Sequence, residues 1–151
     1  MIKMSYEQLS SMNFQRAMSK LMNTPMKSPE AFKIKHIGKA LQKNQTEMTE
    51  KFKKEIIAVF AKGGEETKEP VSEVAQKAGI PFEPLEGKLE ATKEAIEQFG
   101  KREFTIPQNK ITAQYLISCA EWTPVELQFL EPVVSELTAV ETQLELPFPQ
   151  N

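Results

Sequence analysis

The sequence has 151 residues, of which 40% are hydrophobic and 26% are charged, which suits one domain with a continuous core and disfavours a multidomain enzyme. Its net charge at pH 7 is −2, and every acidic residue is glutamate, so the aspartates common in calcium- and magnesium-binding loops are missing. The single cysteine excludes an internal disulfide and favours a reducing, cytoplasmic location. No apolar run approaches the ~18 residues of a membrane span, so we expect a soluble protein without membrane contact.

The first predicted element is an amphipathic helix over residues 5–23. Ser5 and Gln8 have the spacing of a capping box, in which each side chain bonds to the backbone N–H of the other residue. The methionines in or near this helix predict core filling, with an adaptable interface as the second interpretation; they are Met12, Met18, Met22 and Met26. Its apolar face contains Leu9, Met12, Met18, Leu21 and Met22.

A second, longer helix is predicted to begin at Ser28. This residue offers a capping hydroxyl, Pro29 suits the first helical position, and Glu30 complements the positive end of the helix. Gly63 and Gly64 predict its end. About thirty residues at 1.5 Å each give a helix of roughly 50 Å, which requires packing partners along its side. The apolar stripe contains Phe32, Ile37, Leu41, Met48, Phe52, Ile56, Val59 and Phe60.

Shorter elements follow the two glycines. Residues 70–79 predict a short helix between a proline and a glycine, and residues 80–84 predict an extended stretch because two prolines restrict them. A third helix is predicted next, ending at Gly100. Its apolar stripe contains Leu85, Leu89, Ile96 and Phe99.

The last third of the sequence predicts a β-hairpin and a C-terminal helix. Residues 102–106 and 110–118 are rich in β-branched and aromatic residues and flank a turn-like stretch, which predicts two paired strands. Thr123 and Glu126 predict a capped helix start, with a restart over residues 133–143. The apolar residues of this helix are Leu127, Leu130 and Val134, for the core, and Val125 and Phe129, as a candidate exposed pair.

These elements predict a mostly α (α+β) fold. The long second helix is expected to form a helical hairpin with the first and to pack against the third, beside a small β-hairpin and a C-terminal helix. Residues 1–141 are expected to form a single domain, and residues 142–151 an extended C-terminal tail.

Residues that commonly carry catalysis are scarce. His36 lies in a lysine-rich helical segment without an orienting neighbour, so a solvated or core-edge role is predicted rather than general-base chemistry. Cys119 has mostly apolar neighbours and is predicted to be a buried small residue rather than a nucleophile. One histidine and one cysteine cannot form a four-ligand zinc site, and no glycine-rich phosphate-binding loop occurs. We therefore expect a protein that is not an enzyme and requires no metal or cofactor.

The charges are unevenly distributed along the chain. Residues 1–64 contain twelve Lys and Arg against five Glu, whereas residues 121–151 contain six Glu and no Lys or Arg. Opposed ends of this kind favour solubility or attraction within a fold. Nucleic-acid binding is not expected, because no aromatic residues alternate with the lysines.

The C-terminal residues 143–148, with the sequence QLELPF, resemble the hexapeptide by which bacterial replication and repair proteins bind the DNA polymerase sliding clamp. The resemblance implies that the glutamine side chain hydrogen-bonds in a small pocket, while the second leucine and the aromatic residue fill an apolar one. The alternative is that the same apolar residues fold back onto the body as an extended arm. The matching positions are Gln143, Leu144, Leu146 and Phe148.

Most of the body resembles a group of small tailed-phage proteins in the order of its segments. The resemblance implies a phage origin and a location in the bacterial host cytoplasm or on the virion, with no activity to transfer. A protein–protein interaction role, as an assembly component or adaptor and with possible homo-oligomers, is therefore expected; the alternative is a clamp-binding accessory or inhibitor of host replication. The segments are MIKMSYEQL, AFKIKHIGKAL, FKKEIIAVFAK, REFTI and WTPVELQFLEP.

Overall fold

Residues 1–65 and 71–135 are described by the computed structural model, and most of them lie in helices. One small antiparallel sheet of two strands accompanies the helices. The predicted class, mostly α (α+β), is confirmed. The single-domain boundary at residue 141 lies outside the described residues and stays a prediction.

The sheet joins the start of the chain to a strand about a hundred residues later. Strand β1 (Ile2–Ser5) pairs with β2 (Glu103–Ile106), with Ile2 opposite Ile106 and Ser5 opposite Glu103. Ile2, Met4 and Ile106 are buried, while the alternate residues face outward, as the period of a half-buried strand requires. The sheet therefore encloses the core on one face only.

The predicted hairpin is wrong about its second strand. Residues 103–106 do form a strand, but the segment 110–118 does not pair with them, because Ala113–Cys119 is a helix (α7). The Thr112 hydroxyl accepts a hydrogen bond from the backbone N–H of Tyr115 and so caps this helix. The cap and the tertiary packing override the β preference of the segment's isoleucines and tyrosine.

The predicted first helix is two helices, α1 (Tyr6–Ser10) and α2 (Met12–Met22). The capping box of Ser5 and Gln8 is confirmed at the start of α1. Ser11 lies between the helices in an extended conformation, and its hydroxyl accepts from the N–H of Phe14. Ser11 is thus a second N-cap, and it redirects the chain where the apolar periodicity alone predicts continuity.

The long second helix is confirmed as α3 (Glu30–Phe52), but Ser28 does not cap it. Pro29 occupies the cap position, and no side chain satisfies the first N–H groups there. Within the described residues, α3 and every other helix fall short of the combined length and apolarity that spanning a membrane demands.

A wide π-helical turn (Lys53–Ile57) continues α3 into the short helix α4 (Ala58–Phe60). The turn buries both Ile56 and Ile57, and it shifts the following residues around the axis. Val59 is consequently 55% exposed, although the sequence pattern places it in the apolar stripe. The chain then turns at the predicted stop, where Gly63 and Gly64 have positive φ angles.

The short helix and the third helix predicted after the two glycines are both present, but the third begins later than predicted. Helix α5 (Glu73–Lys77) is capped by Ser72. Residues 80–84 are not continuously extended, because the chain bends at Pro81 and Phe82; Pro84 bridges to Ala61, and the Glu83 carbonyl accepts from the N–H of Lys62. Helix α6 (Leu89–Gly100) begins four residues later than expected, so Leu85 lies outside it.

The last described helix is α8 (Pro124–Phe129), and its predicted capping box of Thr123 and Glu126 is confirmed. Beyond it, Val133 and Val134 are buried but not helical, and Val134 bridges to Ile111. The rest of the predicted restart over residues 133–143 lies outside the described residues.

The core is arranged around α3, which contacts α1, α2 and β2, while its π-helical continuation contacts α6. Its aromatic centre is Phe52, whose ring lies 5.4 Å from that of Phe99 and 6.4 Å from that of Phe82, both in edge-on geometry. The predicted packing of the long helix against its two neighbours is therefore confirmed. The buried residues of α3 are Ile34, Ile37, Leu41 and Met48.

We expect Ile2→Ala to lower the free energy of unfolding by about 2–5 kcal/mol, because Ile2 is fully buried and its truncation leaves a cavity. The matched control is Lys3→Ala, on the outer face of the same strand, where the loss of a solvent-exposed ion pair with Glu103 should change stability by about 0.5 kcal/mol or less. Urea unfolding of both variants measures the difference. Equal losses would contradict the structural role of β1.

Candidate functional site

The residues predicted to bind a sliding clamp lie outside the described residues. Gln143, Leu144, Leu146 and Phe148 belong to the segment 136–151, for which the clamp interpretation and the packed-arm alternative both stay predictions.

The two candidate catalytic residues lie far apart in sequence and in different environments. His36 is exposed on α3, as predicted. Cys119 is half-buried rather than buried, because it is the last residue of α7, and its thiol lies 4.0 Å from the Ser118 hydroxyl. Among the described residues, histidine, cysteine and glutamate form no cluster that could hold a metal ion.

A cleft of about 890 Å³ lies between the end of α2 and the start of α8, next to Cys119. The Lys20 ammonium donates to the Glu121 carbonyl oxygen at 2.7 Å and to both Glu126 carboxylate oxygens at 2.9 and 3.0 Å. It also lies 4.4 Å from the centre of the Trp122 ring, a cation–π contact. The charge of Lys20 is therefore engaged within the fold, and this cluster ties α2 to α8.

The attraction predicted between the basic N-terminal half and the acidic C-terminal end is found in the ion pair of Lys20 with Glu126. Donation by the Thr123 backbone N–H and by the Lys20 ammonium holds the pKa of Glu126 below its usual value. The charge distribution in the sequence indicates that the two ends attract each other. It does not identify the residues that interact, because Lys20 and Glu126 are more than a hundred residues apart.

A second cavity, of about 280 Å³, lies between α1, α3 and α6. Aromatic rings line it, and the rings of Tyr6, Phe52 and Phe99 contact one another in pairs. The Lys51 ammonium lies 3.5 Å from the Tyr6 hydroxyl. Exposed Ser10, Thr49 and Lys53 form part of its wall beside buried Met48 and Phe99, so the cavity opens to the surface.

An open groove of about 460 Å³ runs between α2 and α3, and we call it the α2–α3 groove. Its floor is apolar, its rims carry amide and hydroxyl groups, and none of the described residues that line it is charged. The floor contains Leu9, Phe14, Met18, Met22, Gly38 and Leu41, and the rims contain Gln15, Ser19, Gln42 and Gln45.

Gly38 gives this groove its shape. A Cβ at this position would lie 2.7 Å from the terminal methyl of Met22 and 3.0 Å from its sulfur, so a larger residue would displace the Met22 side chain. Met22 is nevertheless 46% exposed, and it forms a movable apolar surface at the mouth of the groove. Sequence reasoning missed Gly38, although a glycine inside a long helix is a signal that a neighbour needs room.

The methionines predicted as a secondary interface are only partly brought together. Met18 and Met22 line the groove, whereas Met12 is 62% exposed on the outer side of α2 and Met26 is half-buried next to Tyr115. The other candidate apolar surface, Val125 with Phe129, is not formed as a pair, because Val125 is exposed while Phe129 packs against the core.

Comparisons with known proteins yield no match to a family model, to a curated protein or to a solved structure.

We expect Glu126→Gln to weaken the tie between α2 and α8 in a pH-dependent way. Because the folded pKa of Glu126 is lowered, the carboxylate stabilises the fold above the unfolded pKa, near 4.3, and this contribution is lost as the pH falls through the folded pKa. The difference in unfolding free energy between wild type and variant, ~1 kcal/mol or less at pH 7, should therefore shrink toward pH 3. Glu121→Gln is the control, since Lys20 contacts only its backbone carbonyl. A difference independent of pH would contradict the assigned contact.

Proposed function

We propose that this protein is a non-enzymatic protein–protein interaction protein, an assembly component or adaptor encoded by a tailed phage. The observation that carries the proposal is the α2–α3 groove, where an apolar floor is open to solvent and Met22 lies directly on Gly38. A partner segment that inserts apolar side chains there would remove this floor from water.

The composition of the groove suits a partner surface better than a core defect. Methionine side chains are flexible and polarisable, so Met18 and Met22 can adjust to the shape of an inserted side chain. A glycine inside a helix costs about 0.5–1 kcal/mol relative to alanine. Gly38 therefore lowers the intrinsic stability of α3 at the point where the Met22 side chain lies on the helix backbone.

The phage assignment rests on the order of the sequence segments. The described elements fall on the same segments, with α3 covering the lysine-rich stretch and α8 covering the Thr-Pro-x-Glu-Leu start. The resemblance of these segments to phage proteins supports an assembly or adaptor role and favours no particular step of the infection cycle.

We expect Met22→Gln to abolish capture of the partner from a lysate of phage-infected bacteria, because an amide at the mouth of the groove disfavours apolar insertion. Stability should change by about 1 kcal/mol or less, since Met22 is almost half exposed. Met12→Gln is the matched control, as this exposed methionine lies on the same helix outside the groove. Affinity capture with quantitative mass spectrometry measures the loss. If the Met22→Gln variant captures the partner as well as the wild type does, the groove is not the interaction site.

A second candidate function is a sliding-clamp-binding accessory or inhibitor of host DNA replication. It is favoured by the sequence of residues 143–148, where a glutamine and three apolar residues have the spacing of the clamp-binding hexapeptide. A short segment of this kind derives its affinity from a few anchors, and Pro147 reduces the entropy lost when it is ordered.

For this candidate, the double substitution Gln143→Ala and Phe148→Ala should abolish binding to a purified bacterial sliding clamp. The substitution should leave thermal unfolding nearly unchanged, because a clamp-binding peptide at residues 143–148 would contribute nothing to the core. Gln150→Ala is the control, since it removes a glutamine just outside the hexapeptide. If deletion of residues 142–151 instead lowers stability by several kcal/mol and the full chain shows no clamp affinity, the packed-arm alternative is correct.

A further inference from the structure

The cavity of about 280 Å³ between α1, α3 and α6, which we call the aromatic cavity, has walls that suit a flat apolar molecule. Three aromatic side chains line it: the ring centre of Phe99 lies 5.1 Å from that of Tyr6 and 5.4 Å from that of Phe52. Met48 and Ile96 add a thioether and an aliphatic surface. A further ring would gain stacking and sulfur contacts there, besides the burial of its apolar surface.

The volume of the aromatic cavity sets the size of that molecule. An apolar cavity of about 150 Å³ holds benzene, so a space nearly twice as large accommodates two fused rings. A helix with its side chains is about 10 Å wide and cannot enter a space of this volume. The fitting occupant is therefore a small molecule with one or two rings.

The open side of the aromatic cavity carries one charge. Its exposed residues are Ser10, at the end of α1, and Thr49 and Lys53, which lie one turn apart on α3 and its π-helical continuation. The two hydroxyls already donate to backbone carbonyls of their own helices, at 2.8 Å for Ser10 and 3.0 Å for Thr49. Among the described residues that line the cavity, only Lys53 is charged, and it joins none of the ion pairs within residues 1–65 and 71–135. An anionic group at the mouth would meet an available ammonium donor.

The charges around the mouth also favour an anion. The Lys51 ammonium lies 3.5 Å from the hydroxyl of the tyrosine in the wall, so a second cation adjoins the cavity. No glutamate is among the described residues of the wall: Glu7 approaches only Gly100, and Glu55 is bound to Arg102 through both carboxylate oxygens. A carboxylate near the mouth would therefore be attracted rather than repelled.

We propose that the aromatic cavity binds a small aromatic carboxylate, with one or two fused rings between Tyr6, Phe52 and Phe99 and the carboxylate at the ammonium of Lys53. Burial of the rings supplies most of the affinity, and the ion pair determines which end of the molecule faces water. This binding function is separate from the proposed protein–protein interaction, because the aromatic cavity and the α2–α3 groove share no lining residue.

The test uses 2-naphthoate as the probe and 2-naphthamide as its match, in which a neutral amide replaces the carboxylate on the same two rings. In a ¹H–¹⁵N NMR titration of the full chain, 2-naphthoate should cause saturable shifts centred on the backbone amides of Ser10, Thr49, Lys53 and Gly100. A dissociation constant of about 1 mM or lower is expected for a molecule of this size. The amide should bind about threefold more weakly, since an ion pair at an exposed lysine adds little.

The variant Thr49→Trp should weaken the binding of 2-naphthoate at least tenfold, because a bulky side chain at this position occupies the mouth of the cavity. Its matched control is Thr46→Trp, which also replaces an exposed threonine of α3 whose hydroxyl donates to a carbonyl four residues earlier, but outside the cavity. The dispersion of the NMR spectra shows whether both variants are folded. Wild-type affinity in the folded Thr49→Trp variant would exclude the aromatic cavity as the site.

The variant Lys53→Gln tests the charge without altering the shape of the aromatic walls. It should reduce the affinity for 2-naphthoate to that for 2-naphthamide and leave the affinity for 2-naphthamide unchanged. Lys54→Gln is the control, since this neighbouring lysine is equally exposed and does not line the cavity. If both lysine variants lose affinity for 2-naphthoate equally, Lys53 is not the residue that binds the carboxylate.

Three further outcomes would overturn the proposal. Equal affinity of the wild type for the two compounds would show that the site does not select a carboxylate. Shifts centred on Met22 and Gly38 would assign the compound to the α2–α3 groove instead. Binding that appears only after deletion of residues 142–151 would identify the chain's own apolar segment as the occupant. Because Met22→Gln should leave the titration unchanged, failure of the proposed function and failure of this inference are distinguishable.

Discussion

The length of α3 is the constraint on which the rest of the fold depends. A helix of 23 residues that continues through a π-helical turn exposes an apolar stripe far longer than one neighbour can cover. Helix α2 covers its first part, α1 packs on its last turns beside Met48, and α6 contacts the wide turn, where Phe52 meets Phe99. The remaining elements extend this packing: β1 and β2 close one side, and α8 packs on α2.

The same arrangement explains why a groove is left between α2 and α3. Lys20 at the end of α2 bonds to Glu126 at the start of α8, so α2 is held from its far side as well as by α3. Held in this way, α2 does not need complete contact along α3, and the absent side chain of Gly38 lets Met22 lie against the α3 backbone. A stable fold and an open apolar floor are therefore compatible here.

Periodic and capped elements were predictable from sequence, because their signals are local. The capping boxes at Ser5 and Thr123, the glycine stop after α4 and the course of α3 all follow from spacing. The pairing of β1 with β2 was not predictable, since four residues carry too weak an alternation and their partner is distant. The shift at the π-helical turn and the approach of Met22 to Gly38 likewise depend on tertiary contacts, whereas the Ser11 break has a local cause, its hydroxyl cap, which the apolar periodicity does not indicate. For the candidate site, the sequence indicated that methionines could form an adaptable interface. It did not indicate the groove between α2 and α3 that two of them line.

The pairing of Ile2 with Ile106 also has a consequence for how the chain folds during synthesis. Strand β1 leaves the ribosome before β2, which is translated about a hundred residues later, at a rate of roughly 5–20 residues per second. For several seconds the nascent chain therefore presents an unpaired apolar strand, and the slow, non-local closure of the sheet follows the formation of the local helices. By this argument β1, although it is made before β2, is expected to reach its final place only after the local helices have formed.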